Sequence, residues 1–135
     1  MSNHPPRLRG TFTIGKKFAF HAGHRLINLP PEHKCSRQHG HSYEVELVLT
    51  STTLTGPGFV TDFGDLRPFK EFLDIHLDHR NLHEVLPIEP TSELLAQYLA
   101  AWFVDRLQPH IPGRLVAVQV RETASSWARF DVEDA

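Results

Sequence analysis

The chain holds one cysteine, Cys35, among its 135 residues. That excludes an intrachain disulfide and suits a reducing compartment. No apolar run is long enough to span a bilayer, and no charged-then-apolar leader stands at the start. Neither a membrane nor export is therefore expected, and the expected setting is the cytoplasm. Excess charge of either sign is also lacking: 14 basic and 16 acidic residues leave a net charge of −2 with the histidines neutral. Such a balance supplies no field to draw in nucleic acid, so any anionic ligand must be met by local charge. No internal repeat or low-complexity segment is visible. With 40% hydrophobic and 22% charged residues, the chain reads as one folded domain. A chain of this length buries roughly two thirds of its unfolded surface and needs no staple. Residues 1–10, with two prolines, two arginines and no period, read as a loose arm; residues 11–135 read as the domain.

What the chain does have is histidine, ten in all and scattered rather than gathered at an end. Two of them close the stretch Cys35-Ser36-Arg37-Gln38-His39-Gly40-His41. Beyond it Tyr43, Val45, Leu47 and Leu49 alternate with Ser42, Glu44 and Glu46, the pattern of a strand with one buried face. Carried backwards, the apolar parity falls on His41 and His39. An earlier strand shows the same ending: Ile14, Phe18, Phe20 and Ala22 share a parity with His24, interrupted only by Lys16.

The remaining elements follow in order. Pro30 and Pro31 mark a loop, and Thr55-Gly56-Pro57-Gly58 a turn. Asp62 caps a first helix with apolar positions at Leu66, Phe69, Phe72, Leu73 and Leu77. Residues 78–90 read as a polar loop. A second helix opens at Thr91-Ser92-Glu93 with a stripe of Leu94, Leu95, Tyr98, Leu99, Trp102 and Leu107, and ends at Pro109 to Gly113. Val116, Val118, Val120 and Glu122 share a face of a third strand, and Trp127 to Val132 form a fourth. The expected fold is α+β, in the order ββααββ. Its four strands form an antiparallel sheet carrying two helices on one face.

Several groups are candidates for chemistry. His24, His39 and His41 each end an apolar row, and three imidazoles on adjacent strands leave a fourth tetrahedral position open on a zinc ion. The alternative is a set of ordinary histidines with satisfied hydrogen bonds. Cys35, beside Lys34 and Arg37, is a candidate thiolate base or a small apolar filler. In Asp78-His79 a carboxylate adjoins an imidazole, which makes a proton shuttle or a helix end with a favourable histidine. Glu122 ends the third strand's buried row and wants a multi-donor partner: a guanidine-like ligand edge, or an arginine such as Arg121 or Arg129. Arg25, Lys34 and Arg37 crowd the same end of the sheet, where they meet a phosphate or simply face water.

Taken together, in order and spacing, these residues resemble the 6-pyruvoyl-tetrahydropterin synthase and 6-carboxytetrahydropterin synthase family. The likeness runs from about Phe18 to Glu122. It rests on Phe20-His21-Ala22-Gly23-His24-Arg25-Leu26, on Cys35 to Tyr43, on Asp62-Phe63, and on Leu77-Asp78-His79-Arg80-Asn81-Leu82. Pro90-Thr91-Ser92-Glu93 and Arg121-Glu122-Thr123 complete it. The last strand, from Phe130 on, matches no motif. The resemblance implies the tunnelling fold, whose sheets join into a barrel, commonly as a hexamer with active sites at subunit interfaces. It implies zinc on His24, His39 and His41, Cys35 as catalytic base, and Asp78 and His79 completing a proton-transfer triad. It implies Glu122 as the anchor of a pterin ring, with Thr91 and Ser92 beside it; Arg25, Lys34 and Arg37 are then guesses for a triphosphate. The three residues between Cys35 and His39 resemble the 6-carboxytetrahydropterin synthases of queuosine and other deazapurine pathways. The implied activity is a lyase converting 7,8-dihydroneopterin triphosphate to 6-carboxy-5,6,7,8-tetrahydropterin. The rivals are a pyruvoyl synthase, a non-catalytic domain around a structural zinc, and a pterin binder without turnover.

Overall fold

The computed structural model describes residues 3–24, 29–33 and 39–133, the side chains of His24 and His39 excepted. Strands β1 (Phe12–His24) and β2 (His39–Ser51) are antiparallel neighbours over their whole length. A helical run follows, with a 3₁₀ turn at Phe63–Leu66, α1 at Arg67–Phe72 and a π turn at Leu73–Leu77. The short helix α2 (Leu82–Val85) lies where the sequence suggested only loop. Helix α3 spans Ser92–Arg106, and β3 (Arg114–Thr123) and β4 (Ser126–Asp131) close the chain. The sheet order is β1-β2-β3-β4, antiparallel throughout.

Local chemistry sets the boundaries. Asp62 accepts a hydrogen bond from the Gly64 amide at 2.9 Å and starts the first helical run. Thr91 does the same for α3, its hydroxyl accepting from the Leu94 amide at 3.1 Å. The core lies between one sheet face and the helices. Tyr43, Val45, Leu47 and Leu49 of β2 are buried there with Leu66, Phe69, Leu73 and Leu77, and with Leu95, Leu99 and Phe103 of α3. The α3 stripe is rotated from the expected one: Leu94 is exposed, and Ala96, Ala100 and Phe103 are buried instead.

Two bulges shape β3. Leu49 pairs with Leu115 and Val48 with Ala117, which leaves Val116 as an extra residue. Val116 therefore leaves the inner row that strict alternation gave it, and Leu115 takes its place. On the other edge Arg121 pairs with Trp127 and Thr123 with Ser126, so Glu122 is the unpaired residue of a second bulge.

The edge of β1 is partly covered near its end. The His21 amide donates to Asp78 Oδ1 at 2.8 Å, the His21 carbonyl accepts from the His79 amide at 2.6 Å, and the Gly23 amide donates to the Arg80 carbonyl at 2.9 Å. Residues 78–81 thus lie along the sheet edge beside the strand that ends in His24.

Candidate active site

The end of the β1–β2 ladder gathers the first group. His24 and His39 are direct cross-strand partners, and His41 lies two residues from His39 on the same strand. Directly opposed residues hold their Cβ atoms about 4.5–5.5 Å apart, and diagonal ones about 7–8 Å. Backbone positions 24, 39 and 41 are thus close enough for three imidazoles to reach one ion. Of these rings only that of His41 is described. It is half-buried, 5.6 Å from the Tyr43 ring, with Nε2 at 3.7 Å from Glu122 Oε2. A nitrogen-donor set of this size fits zinc.

Glu122 is re-aimed by its bulge toward the start of α3, where Ser92 Oγ donates to its Oε1 at 2.6 Å. A carboxylate beside a helix N-terminus is favoured by the unpaired amides there. Burial pushes the Tyr43 phenol far above its usual range, and the Glu122 carboxylate raises it further. Tyr43 is therefore a neutral phenol in the field of this carboxylate. Thr91 is engaged as the α3 cap, so it acts here on the helix rather than on an open surface. Arg25, Lys34, Cys35 and Arg37 lie outside the described residues.

Asp78 and His79 form the second group, on a turn that is costly to make. The π turn at Leu73–Leu77 ends with the Asp78 amide bonded to the Leu73 carbonyl at 2.8 Å. The Arg80 amide then bonds back to the Leu77 carbonyl at 3.1 Å. Asp78 has φ −64° and ψ 132°, and His79 has φ 58°. This is the φ pattern of a type II turn, whose third position normally takes glycine. His79 is the one non-glycine residue with positive φ among the described residues. A histidine held in such a conformation points to use of its side chain.

The ring explains the use. His79 Nδ1 lies 2.9 Å from Asp78 Oδ2. The backbone bond from His21, first of the causes, and the His79 hydrogen bond hold the Asp78 carboxyl below its ordinary value. An ionised carboxylate only accepts, so Nδ1 carries the proton and Nε2 is the nitrogen left for exchange. An open cleft of about 430 Å³ lies alongside, lined in part by His21, Gly23, Gly40, Ser42 and His79.

A family model described as 6-pyruvoyl tetrahydropterin synthase matches residues 13–133. The chain belongs to that family. A 6-carboxy-5,6,7,8-tetrahydropterin synthase of Synechocystis is 39% identical over 126 residues, covering 87% of this chain and 91% of that protein. One of Aquifex aeolicus is 30% identical, covering 89% and 98%. Among solved structures, a protein of Wolinella succinogenes superposes with TM-score 0.80 at 27% identity, covering 91% of this chain and 99% of its own. A Caenorhabditis elegans 6-pyruvoyl tetrahydropterin synthase, at 24% identity, gives 0.79 over 94% and 100% and supports the fold. The chain is thus a pterin-synthase-family enzyme of lyase type, similar to the 6-carboxytetrahydropterin synthases. Its sheet and helices have this family's fold. Among the described residues no helix is long and apolar enough to cross a membrane.

Two contributors escaped the sequence reading. His21 holds Asp78 and His79 through its backbone, and the buried Tyr43 phenol lies in the field of Glu122. The signal for Tyr43 was its place in the inward row after His41. For His21 it was its place within the Phe20-His21-Ala22-Gly23-His24 stretch, with no role attached.

Proposed function

We propose that this protein converts 7,8-dihydroneopterin triphosphate to 6-carboxy-5,6,7,8-tetrahydropterin, releasing acetaldehyde and triphosphate, with zinc held by His24, His39 and His41. The observation that carries the reading is the convergence of backbone positions 24, 39 and 41 at one strand end beside the Glu122 carboxylate. Relatives named 6-carboxy-5,6,7,8-tetrahydropterin synthase, at 39% and 30% identity, support it.

Glu122 accepts hydrogen bonds from the amino and ring nitrogens of the pterin, a paired donor edge that a carboxylate matches. Zinc, when bound, supplies Lewis-acid polarisation of the substrate's side-chain oxygens. The Cys35 thiolate removes a proton from a side-chain carbon. His79, oriented by Asp78, takes up a proton from solvent at Nε2 and passes it to another atom of the side chain. Triphosphate then leaves, a water molecule adds to the side-chain carbon next to the ring, and cleavage of the adjoining carbon–carbon bond leaves that carbon as the carboxylate and releases the two-carbon fragment, protonated, as acetaldehyde. Arg25, Lys34 and Arg37 are the cations assigned to the triphosphate. The reading carries with it a homo-oligomer with shared sites, a cytoplasmic setting, and a product bound for queuosine or another deazapurine.

Incubating the zinc-loaded protein with dihydroneopterin triphosphate and analysing products by mass spectrometry, with an assay for acetaldehyde, tests this. Carboxytetrahydropterin with stoichiometric acetaldehyde is expected. A pyruvoyl product without acetaldehyde would move the chain to the pyruvoyl branch, and no turnover would remove the enzymatic reading.

A further inference from the structure

The proton-carrying ring of His79 stands in an exposed position, with 79% of its side chain open to solvent. Asp78 tethers it at one atom, Nδ1. That bond sets the tautomer and the mean direction of the ring. On so exposed a side chain it still leaves rocking about the Nδ1–Oδ2 contact, which a second contact on the ring would limit. Among the described residues the ring-to-ring contact on His79 is made by His21, whose ring centroid is 6.2 Å away at an interplanar angle of 63°. That is the edge-to-face arrangement that aromatic rings prefer.

His21 is itself fixed. Its Nδ1 lies 2.9 Å from Ser42 Oγ, and Ser42 is its cross-strand partner on β2. Strand alternation puts positions 21 and 42 on the sheet face away from the core, opposite to Ala22 and His41. There the Gly23–Gly40 pair beside them adds no side chain, and a Cβ built at Gly40 meets nothing within 4 Å. Between Gly23 and Gly40 the cleft floor is therefore bare backbone, and the two imidazoles line it together with Ser42, Arg80 and Asn81.

We infer that the His21 side chain is a positioning residue for His79, acting with Ser42 as a buttress that aims His79 Nε2 across this cleft. The inference rests on the proton-transfer role proposed above for His79. It is separate from the backbone bonds that position 21 makes to Asp78 and His79, which any residue there retains. Substitution at position 21 thus removes the buttress and keeps the turn.

An edge-to-face ring contact shifts an equilibrium by a factor of about two to ten. His21→Ala is expected to lower kcat by about that factor and leave KM unchanged, because the ground-state grip on the pterin lies at Glu122. His21→Phe keeps the edge contact but loses the Ser42 bond, and should recover part of the lost kcat. Ser42→Ala, which frees the His21 ring in the same way, should match it. The independent readout is NMR of ¹³C- and ¹⁵N-labelled histidine rings in the zinc-loaded protein. Wild type should show one ordered His79 ring, and His21→Ala a motionally averaged one with its Nδ1–H tautomer retained. Unchanged His79 ring order and unchanged kcat in His21→Ala would overturn the inference. If the wild-type protein does not turn over dihydroneopterin triphosphate, the proposed function fails, and the ring-order comparison alone decides the role of His21.

Discussion

Glu122 and His79 sit on backbones of opposite character. Glu122 belongs to a strand, is turned by a bulge, and rests on the capped start of α3 through Ser92. His79 belongs to a turn, takes a left-handed φ of 58°, and is held by a strand edge through His21. The first arrangement is cheap for the backbone and half-buried, as suits a group that grips a ring. The second costs a non-glycine residue of order 1 kcal/mol or more and leaves the ring exposed, as suits a group that moves a proton. The difference teaches that, on the roles proposed for these two residues, binding and proton transfer are separable in this molecule.

Substitution at the two places should break function in different ways. The largest effect is expected for His79→Asn, which removes the proton carrier. Turnover should drop by about 10²–10⁴, the usual worth of a positioned acid or base. Asparagine tolerates positive φ, so thermal stability should match or exceed wild type; a marked loss of Tm would deny that the turn is strained. Glu122→Ala would remove the two charge-assisted hydrogen bonds proposed to the pterin, each worth about 1.5–3 kcal/mol. A loss of at least about 10² in kcat/KM is expected, and unaltered KM and kcat would refute the anchor role.

Asp78→Asn should cost less than loss of the ring. Its carbonyl still accepts from the His21 amide, but its amide donates toward His79 Nδ1 and favours the wrong tautomer. A fall in kcat with KM held is the expected kinetic result. The acid limb of stability should respond as well. The Asp78 carboxyl is depressed in the folded protein, so its contribution is present above the ordinary value of about 3.8 and is lost as pH falls through the lower folded value. Acid unfolding of Asp78→Asn should lack that part of the pH dependence; identical acid curves would count against the held carboxylate. The smallest effect is expected for Thr91→Ala, which removes the α3 cap. About 1 kcal/mol should be lost, a Tm drop of roughly 3–5 °C, with a modest rise in KM as the Ser92–Glu122 contact loosens. A change in kcat alone would contradict it.

The same contrast decides what the sequence made legible. Alternation in β1 and β2 pointed to positions 24, 39 and 41, because a two-residue period survives folding when one face is buried. The Asp62 and Thr91 caps were readable because short hydroxyl and carboxylate side chains satisfy orphan amides at fixed offsets. Val116 was misassigned because a bulge inserts one residue and resets the period without any mark in composition. Helix α2 was missed because four residues carry too little periodicity to detect. The strain at His79 was invisible, since nothing in Leu77-Asp78-His79-Arg80 announces positive φ where glycine is absent. His21 went unassigned for a related reason: its role runs through backbone atoms and a ring contact across 57 and 58 residues of chain.

X-ray absorption at the zinc edge of the purified protein tests the account at its centre. Three histidine nitrogens at about 2.0–2.1 Å and one further oxygen or nitrogen donor are expected, lost stepwise on replacing His24, His39 or His41. A sulfur scatterer near 2.3 Å, or an edge spectrum unaltered by those replacements, would contradict it.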